Sequence, residues 1–221
     1  MSNGNIETAI LSYKKVLDIN PNNSRATYNI AWMYAKNKQP LKAILYSKDA
    51  LLLQNINDKG KFYRIIANCY TEIDSLDEAK LYFEKSIEIN PDDALTIYNY
   101  GYNRFKKHDF KKSIVLLQNA LNYKNDLKKN FNNLADIYFY VGTAYSETNN
   151  YKNAILYLDS AIAIKPFENY FSNKAETYDK MKDYNKAIEI CNEGLNEKPK
   201  SAILYFKLSQ IKKKINKIEE S

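Results

Sequence analysis

Apolar residues along this chain recur three and four positions apart, and the stripes they form return with a period of about 34 residues. The clearest copy spans residues 60–93. Tyr63, Ile66, Ala67 and Tyr70 share one helical face, a turn follows at Asp74-Ser75, and Ala79, Phe83 and Ser86 form a second face before Pro91. Residues 94–127 repeat this with Ile97, Tyr100, Gly101, Ser113, Leu117 and Ala120, and with Asn125 where the proline is due. Residues 135–168 carry Tyr138, Val141, Gly142, Tyr145, Ala154, Leu158, Ala161 and Pro166. Residues 168–201 carry Phe171, Ala175, Tyr178, Ala187, Cys191, Gly194 and Pro199. The weakest full copy, 24–57, keeps Ile30, Ala31, Tyr34, Ala43 and Ala50. Each copy predicts a pair of antiparallel helices. Small residues let the two approach, large ones fill the space around them, and the proline closes the second helix.

Partial copies stand at both ends. Residues 5–23, with Ala9, Tyr13 and Pro21, read as a second helix without its first. Residues 202–217 read as a first helix without its second, a cap whose lysines and glutamine face solvent. The pattern therefore predicts twelve helices: one, then five pairs, then one. The unpaired first helix leaves an edge that a second copy would cover, so self-association through that end is an expectation. Seven extra residues near 127–134 keep the helical spacing through Leu127, Phe131, Leu134, Tyr138, Val141 and Tyr145. Seven residues make nearly two turns, which predicts one long helix with Asn125 or Asp126 as its N-cap.

Five copies in register resemble the tetratricopeptide repeat, and YFYVGTAYSETNNYKNAILYLDSAIAIKP follows that family's pattern from end to end. The likeness covers nearly all of residues 1–221 as a single domain. It implies an all-α, right-handed superhelical α-solenoid with a concave groove lined by the first helix of each pair. It also implies a protein–protein interaction scaffold rather than an enzyme.

Composition supports an all-helical chain. Five glycines and five prolines in 221 residues leave little material for the turns of a sheet protein. The formal charge of +7 raises nucleic acid as a partner, but the lysines are scattered and only Lys212-Lys213-Lys214 makes a run. RNA binding is therefore a rival reading, and self-assembly into a structural scaffold is another. The N-terminal MSNGNIETAI has no secretory pattern, and no apolar stretch nears the roughly 18 residues of a membrane helix. A cytoplasmic protein is expected.

Candidate chemistry is sparse. His108 is the only histidine and falls in a turn, so a metal site or a histidine-based triad lacks partners. Cys69 and Cys191 stand on apolar stripes of non-adjacent repeats, where cysteine packs as a small apolar residue. No glycine-rich phosphate loop occurs. No cofactor is expected.

Binding residues are sought on the second stripe of each first helix, at repeat positions two, five, nine and twelve. That stripe lies about 100° from the packing stripe. It carries Tyr28 and Trp32, then Arg64 and Asn68, then Tyr98, Tyr102 and Phe105, then Phe139. Aromatic and arginine side chains are the usual anchors of binding surfaces, so these residues are the expected peptide contacts. Family members that clamp acidic chaperone tails would place cationic and amide groups at Arg64, Asn68 and Asn99. The next repeat offers Asp136 and Tyr140 where that clamp needs cations.

Overall fold

A computed structural model of the chain describes residues 3–53, 58–123, 125 and 134–219. Among the described residues are twelve helices and no strand. The chain divides into two compact units, Met1–Lys107 and His108–Ser221.

The first unit contains α1 (Asn3–Ile19), α2 (Ser24–Lys36), α3 (Pro40–Leu52), α4 (Lys59–Glu72), α5 (Leu76–Ile89) and α6 (Ala94–Lys106). Each helix packs on the next, and α2 and α4 also touch the next helix but one. Ile30, Ala31, Ile66 and Ala43 are fully buried, as their places on the apolar stripes require. A buried side-chain bond ties successive repeats, with Asn103 Nδ2 donating to Thr71 Oγ1 at 3.0 Å. Arg104 lies beside it, only 5% exposed, and donates to the Leu76 carbonyl at 2.7 Å.

The second unit contains α7 (Phe110–Asn122), α8 (Leu134–Glu147), α9 (Tyr151–Ile164), α10 (Glu168–Lys180), α11 (Tyr184–Glu197) and α12 (Ala202–Glu219). Gly142 on α8 meets α9 so closely that a Cβ there would stand 2.8 Å from Leu158 Cγ. The bond between repeats recurs, with Thr177 Oγ1 and Ser146 Oγ 3.0 Å apart and both buried. Helix α12 packs on α10 and α11 through Leu204 and Ile211, while Tyr205 and Phe206 are exposed, as are Lys212, Lys213 and Lys214. The capping face is thus more apolar than its lysines and glutamine suggest. The long helix expected from Asn125 or Asp126 falls largely outside the described residues.

Five turn residues at one repeat position, Lys38, Asp74, His108, Asn149 and Lys182, adopt φ between 52° and 64°. None is glycine, although this left-handed region costs other residues energy. In four of these turns a backbone bond spans the bend and holds the two helices at a fixed angle. Gln39, Ser75, Asn150 and Asp183 donate their N–H groups to the carbonyls of Tyr34, Tyr70, Tyr145 and Tyr178. The tyrosine at the eleventh position thus anchors the turn with its backbone and packs with its ring.

Candidate functional site

Side-chain caps set where α2 and α6 begin. Asn23 Oδ1 accepts from the Ala26 N–H at 2.9 Å, and Asp93 Oδ1 accepts from the Leu95 N–H at 3.2 Å. Helices α4 and α6 bring Asn68, Thr71, Glu72, Asn99, Tyr102 and Lys106 around one cleft of about 430 Å³. Three of the expected contacts, Asn68, Asn99 and Tyr102, are thereby gathered in one place. The carboxamides of Asn68 and Asn99 make no hydrogen bond among the described residues. Each offers a donor pair and an acceptor to a ligand. Lys106 is steadied at the rim by Asp74, at 2.9 Å, and by the Thr71 carbonyl, at 3.1 Å.

A second cleft in the same unit, about 400 Å³, is lined by Arg25, Tyr28, Asn29 and Lys61 among others. Tyr28 stands edge-on to Phe62, with ring centroids 5.7 Å apart, so its ring is half framework and half surface. Trp32 is 39% exposed, and Lys36 holds its ammonium 5.6 Å from the ring centroid. Tyr98 and Phe105 are half-buried. The position of Phe105 packs against the following repeat elsewhere, since its equivalents Thr71 and Ser146 are buried.

Two expected contacts are engaged elsewhere. The Arg64 guanidinium forms an ion pair with Asp93, the cap of α6, and its side chain is only 12% exposed. It locks one repeat to the next, which leaves the tail clamp without its first cation. Phe139, in the second unit, stacks on Tyr170 at 4.9 Å. Tyr170 in turn donates to Asp136 Oδ1 at 2.6 Å, and burial, followed by that carboxylate, pushes its phenol well above the usual range.

Sequence reasoning passed over Glu72, Lys106 and Asn29. Asn29 was findable, because it shares the sixth repeat position with Asn99. A cleft of about 620 Å³ in the second unit lies between α10 and α12 and is larger than either of these. Its charges are largely satisfied internally: Lys207 pairs with Glu176 at 3.0 Å, Lys180 with Glu147 at 2.8 Å, and Lys214 with Asp179. The smaller cleft with open carboxamides is the better candidate.

Catalytic chemistry finds no obvious seat in these groups. Burial pushes the Cys69 thiol up to about 12 and the Cys191 thiol up to about 11, so both stay protonated and poorly nucleophilic at neutral pH. His108 is exposed, its ring edge-on to Phe110 at 5.5 Å. Among the described residues no group of three histidine, cysteine or acidic side chains is placed to hold a metal ion. Nor is any helix there long and apolar enough to cross a membrane.

Comparison with known proteins supports the repeat reading. Family profiles described as tetratricopeptide repeat match residues 12–45, 61–93, 135–168 and 169–201. The fold is similar to the crystal structure of the Cut9–Hcn1 hetero-tetramer of APC/C, with TM-score 0.74 and 22% identity over 93% of this chain. This chain spans only 39% of that one. YrrB, described as a TPR protein with an unusual peptide-binding site, gives TM-score 0.71 and 19% identity, covering 88% of this chain and 96% of its own. MamA from Desulfovibrio magneticus RS-1, from residue 41 to its end, gives 0.70 and 15%, covering 81% and 97%. At these identities the likenesses speak for the fold alone. Repeat profiles along most of the chain, helices paired by small residues and turns built alike make this protein a member of the tetratricopeptide-repeat family.

Proposed function

We propose that this chain is a protein-interaction scaffold and that the first-helix face of the unit Met1–Lys107 holds an extended peptide segment of its partner. The carrying observation is the pair of open carboxamides, Asn68 and Asn99, beside Tyr102 in one cleft. An extended backbone alternates N–H and C=O groups that need partners, and a carboxamide serves both. Tyr102 supplies a ring for an apolar side chain, and Tyr28 and Trp32 supply others further along the same unit. The peptide-binding site ascribed to YrrB, a similar fold, agrees with this reading.

The test is selection from a random peptide library against the full chain, followed by calorimetry with the best peptide. A dissociation constant near micromolar, roughly −8 kcal/mol, is expected. Replacing Asn68 and Asn99 together by Ala should weaken binding about tenfold, roughly 1.4 kcal/mol, with an unchanged helical circular-dichroism spectrum. Selected peptides whose affinity ignores that double substitution would overturn the assignment.

A further inference from the structure

A second surface of the first unit carries lysines that its packing does not require. On α4 and α5, Tyr82 lies between Tyr63, at 6.1 Å, and Tyr70, at 5.6 Å. Two ammonium groups stand on this cluster. Lys48 is 5.9 Å and Lys85 5.4 Å from the Tyr82 centroid, and Lys48 also donates to the Tyr70 hydroxyl at 3.3 Å. One repeat earlier, Tyr34 and Tyr46 lie 5.2 Å apart, with Lys42 5.5 Å from the first ring and Lys14 5.9 Å from the second. Lys14 and Lys48 occupy the same repeat position. None of the four lysines has a carboxylate partner among the described residues. Glu84, the residue before Lys85, is instead engaged by the Tyr100 hydroxyl at 2.8 Å and by Lys80 at 3.9 Å.

The second unit shows what packing alone needs. Its equivalent cluster, Tyr138, Tyr157 and Tyr145, has the same arrangement, but Gln118 stands in the place of Lys48 and Ser160 in that of Lys85. A neutral amide thus does the structural task, and two like charges around one ring gain nothing by repelling each other. The charges are explained by an anion that comes to them.

We infer that the Lys14, Lys42, Lys48 and Lys85 surface docks an acidic segment of a partner protein, with one carboxylate received at each tyrosine cluster. Lysine ammonium and tyrosine hydroxyl groups are both donors to a carboxylate, and charge-assisted bonds of this kind are the stronger ones. Stacking of nucleic-acid bases finds no platform here, because the ring faces are occupied by one another and by the lysines. This surface does not use the Asn68–Asn99 cleft, so the two readings stand or fall separately.

The experiment titrates fluorescent deca-glutamate into the full chain at low salt, with a ten-nucleotide oligouridine as the rival probe. The informative variant is Lys48→Gln with Lys85→Ser, which installs the residues of the second unit. Deca-glutamate should bind the parent chain, and the variant should bind at least fivefold more weakly with an unchanged circular-dichroism spectrum. Adding Lys14→Gln should weaken it further, while Lys152→Gln, the same loss of charge at an exposed position of the second unit, should leave the affinity as it was. Absence of deca-glutamate binding, equal binding by the lysine variant, or tighter lysine-dependent binding of oligouridine each overturns the proposal.

Discussion

The two tyrosine clusters are a natural experiment within one chain. Tyr63, Tyr82 and Tyr70 recur as Tyr138, Tyr157 and Tyr145, two repeats and a seven-residue insertion later. Corresponding centroids are 6.1 and 6.0 Å apart for the first pair, and 5.6 Å apart in both units for the second. The ring geometry is therefore a property of the repeat. What differs is the group reaching over from the preceding repeat. Lys48 sets a charge over its rings, whereas Gln118 donates to the Tyr145 hydroxyl at 3.0 Å and to that of Tyr157 at 2.9 Å. The same position carries Glu84, which accepts from Tyr100, and Asp159, which pairs with Lys174 at 2.6 Å. Packing fixes the reach of this side chain and leaves its charge open. Charge there is free to differ between repeats of one fold.

Five substitutions at three places test how far this equivalence goes. The largest effect is expected at the central ring. Tyr82→Ala and Tyr157→Ala should each lower stability by about 2–4 kcal/mol, because both remove a half-buried ring from between two others. Urea unfolding monitored by circular dichroism reads both losses, and values that differ by more than about 1 kcal/mol would break the equivalence. Next comes the close approach of the paired helices. At the eighth repeat position the units carry Ala67 and Gly142. Gly142→Ala puts a methyl 2.8 Å from Leu158 Cγ and 3.0 Å from the Ala154 carbonyl oxygen, and should cost about 1–3 kcal/mol despite better helix propensity. Should it raise the melting temperature instead, the α8–α9 hairpin is looser than described. The smallest effects concern the reaching residue. Gln118→Ala strips a donor from two phenol oxygens and should cost about 1 kcal/mol, while Lys48→Gln should change stability by no more than about 0.5 kcal/mol. Equal losses from the two would mean that the lysine is structural after all.

Much of the fold was legible because its contacts are local. Within each unit a helix packs on its sequence neighbours, so the stripes that predict a helix also predict what it packs against. Ala43, Ala79, Phe83, Leu117 and Leu158 were placed on packing faces by spacing, and all are fully buried. The site was legible only in part. Periodicity gives the angle of a residue around its own helix, which is why Asn68 and Tyr102 fell in one cleft. It says nothing of what the next repeat extends toward that residue. Asp93 caps α6, and its capture of Arg64 depends on where α6 lies beside α4. Phe139 reads as a surface ring on its stripe, yet Tyr170 of the following repeat stacks on it.

By itself the sequence determined the helices, their pairing and the family, since a 34-residue repetition of small and large apolar positions admits few other ways to bury its stripes. It also determined that catalytic groups are scarce, because one histidine and two stripe cysteines leave little to combine. Tertiary structure alone decided which polar side chains are used up and which stay open. Arg64 and Asn68 stand one turn apart on the same helix, and nothing in their spacing distinguishes a captured guanidinium from an open carboxamide. Nor does spacing show that Lys48 and Lys85, on different helices, converge on the ring of Tyr82. The physical reason is that a buried stripe is selected by its own periodicity, whereas a polar partner is selected by distance across the fold.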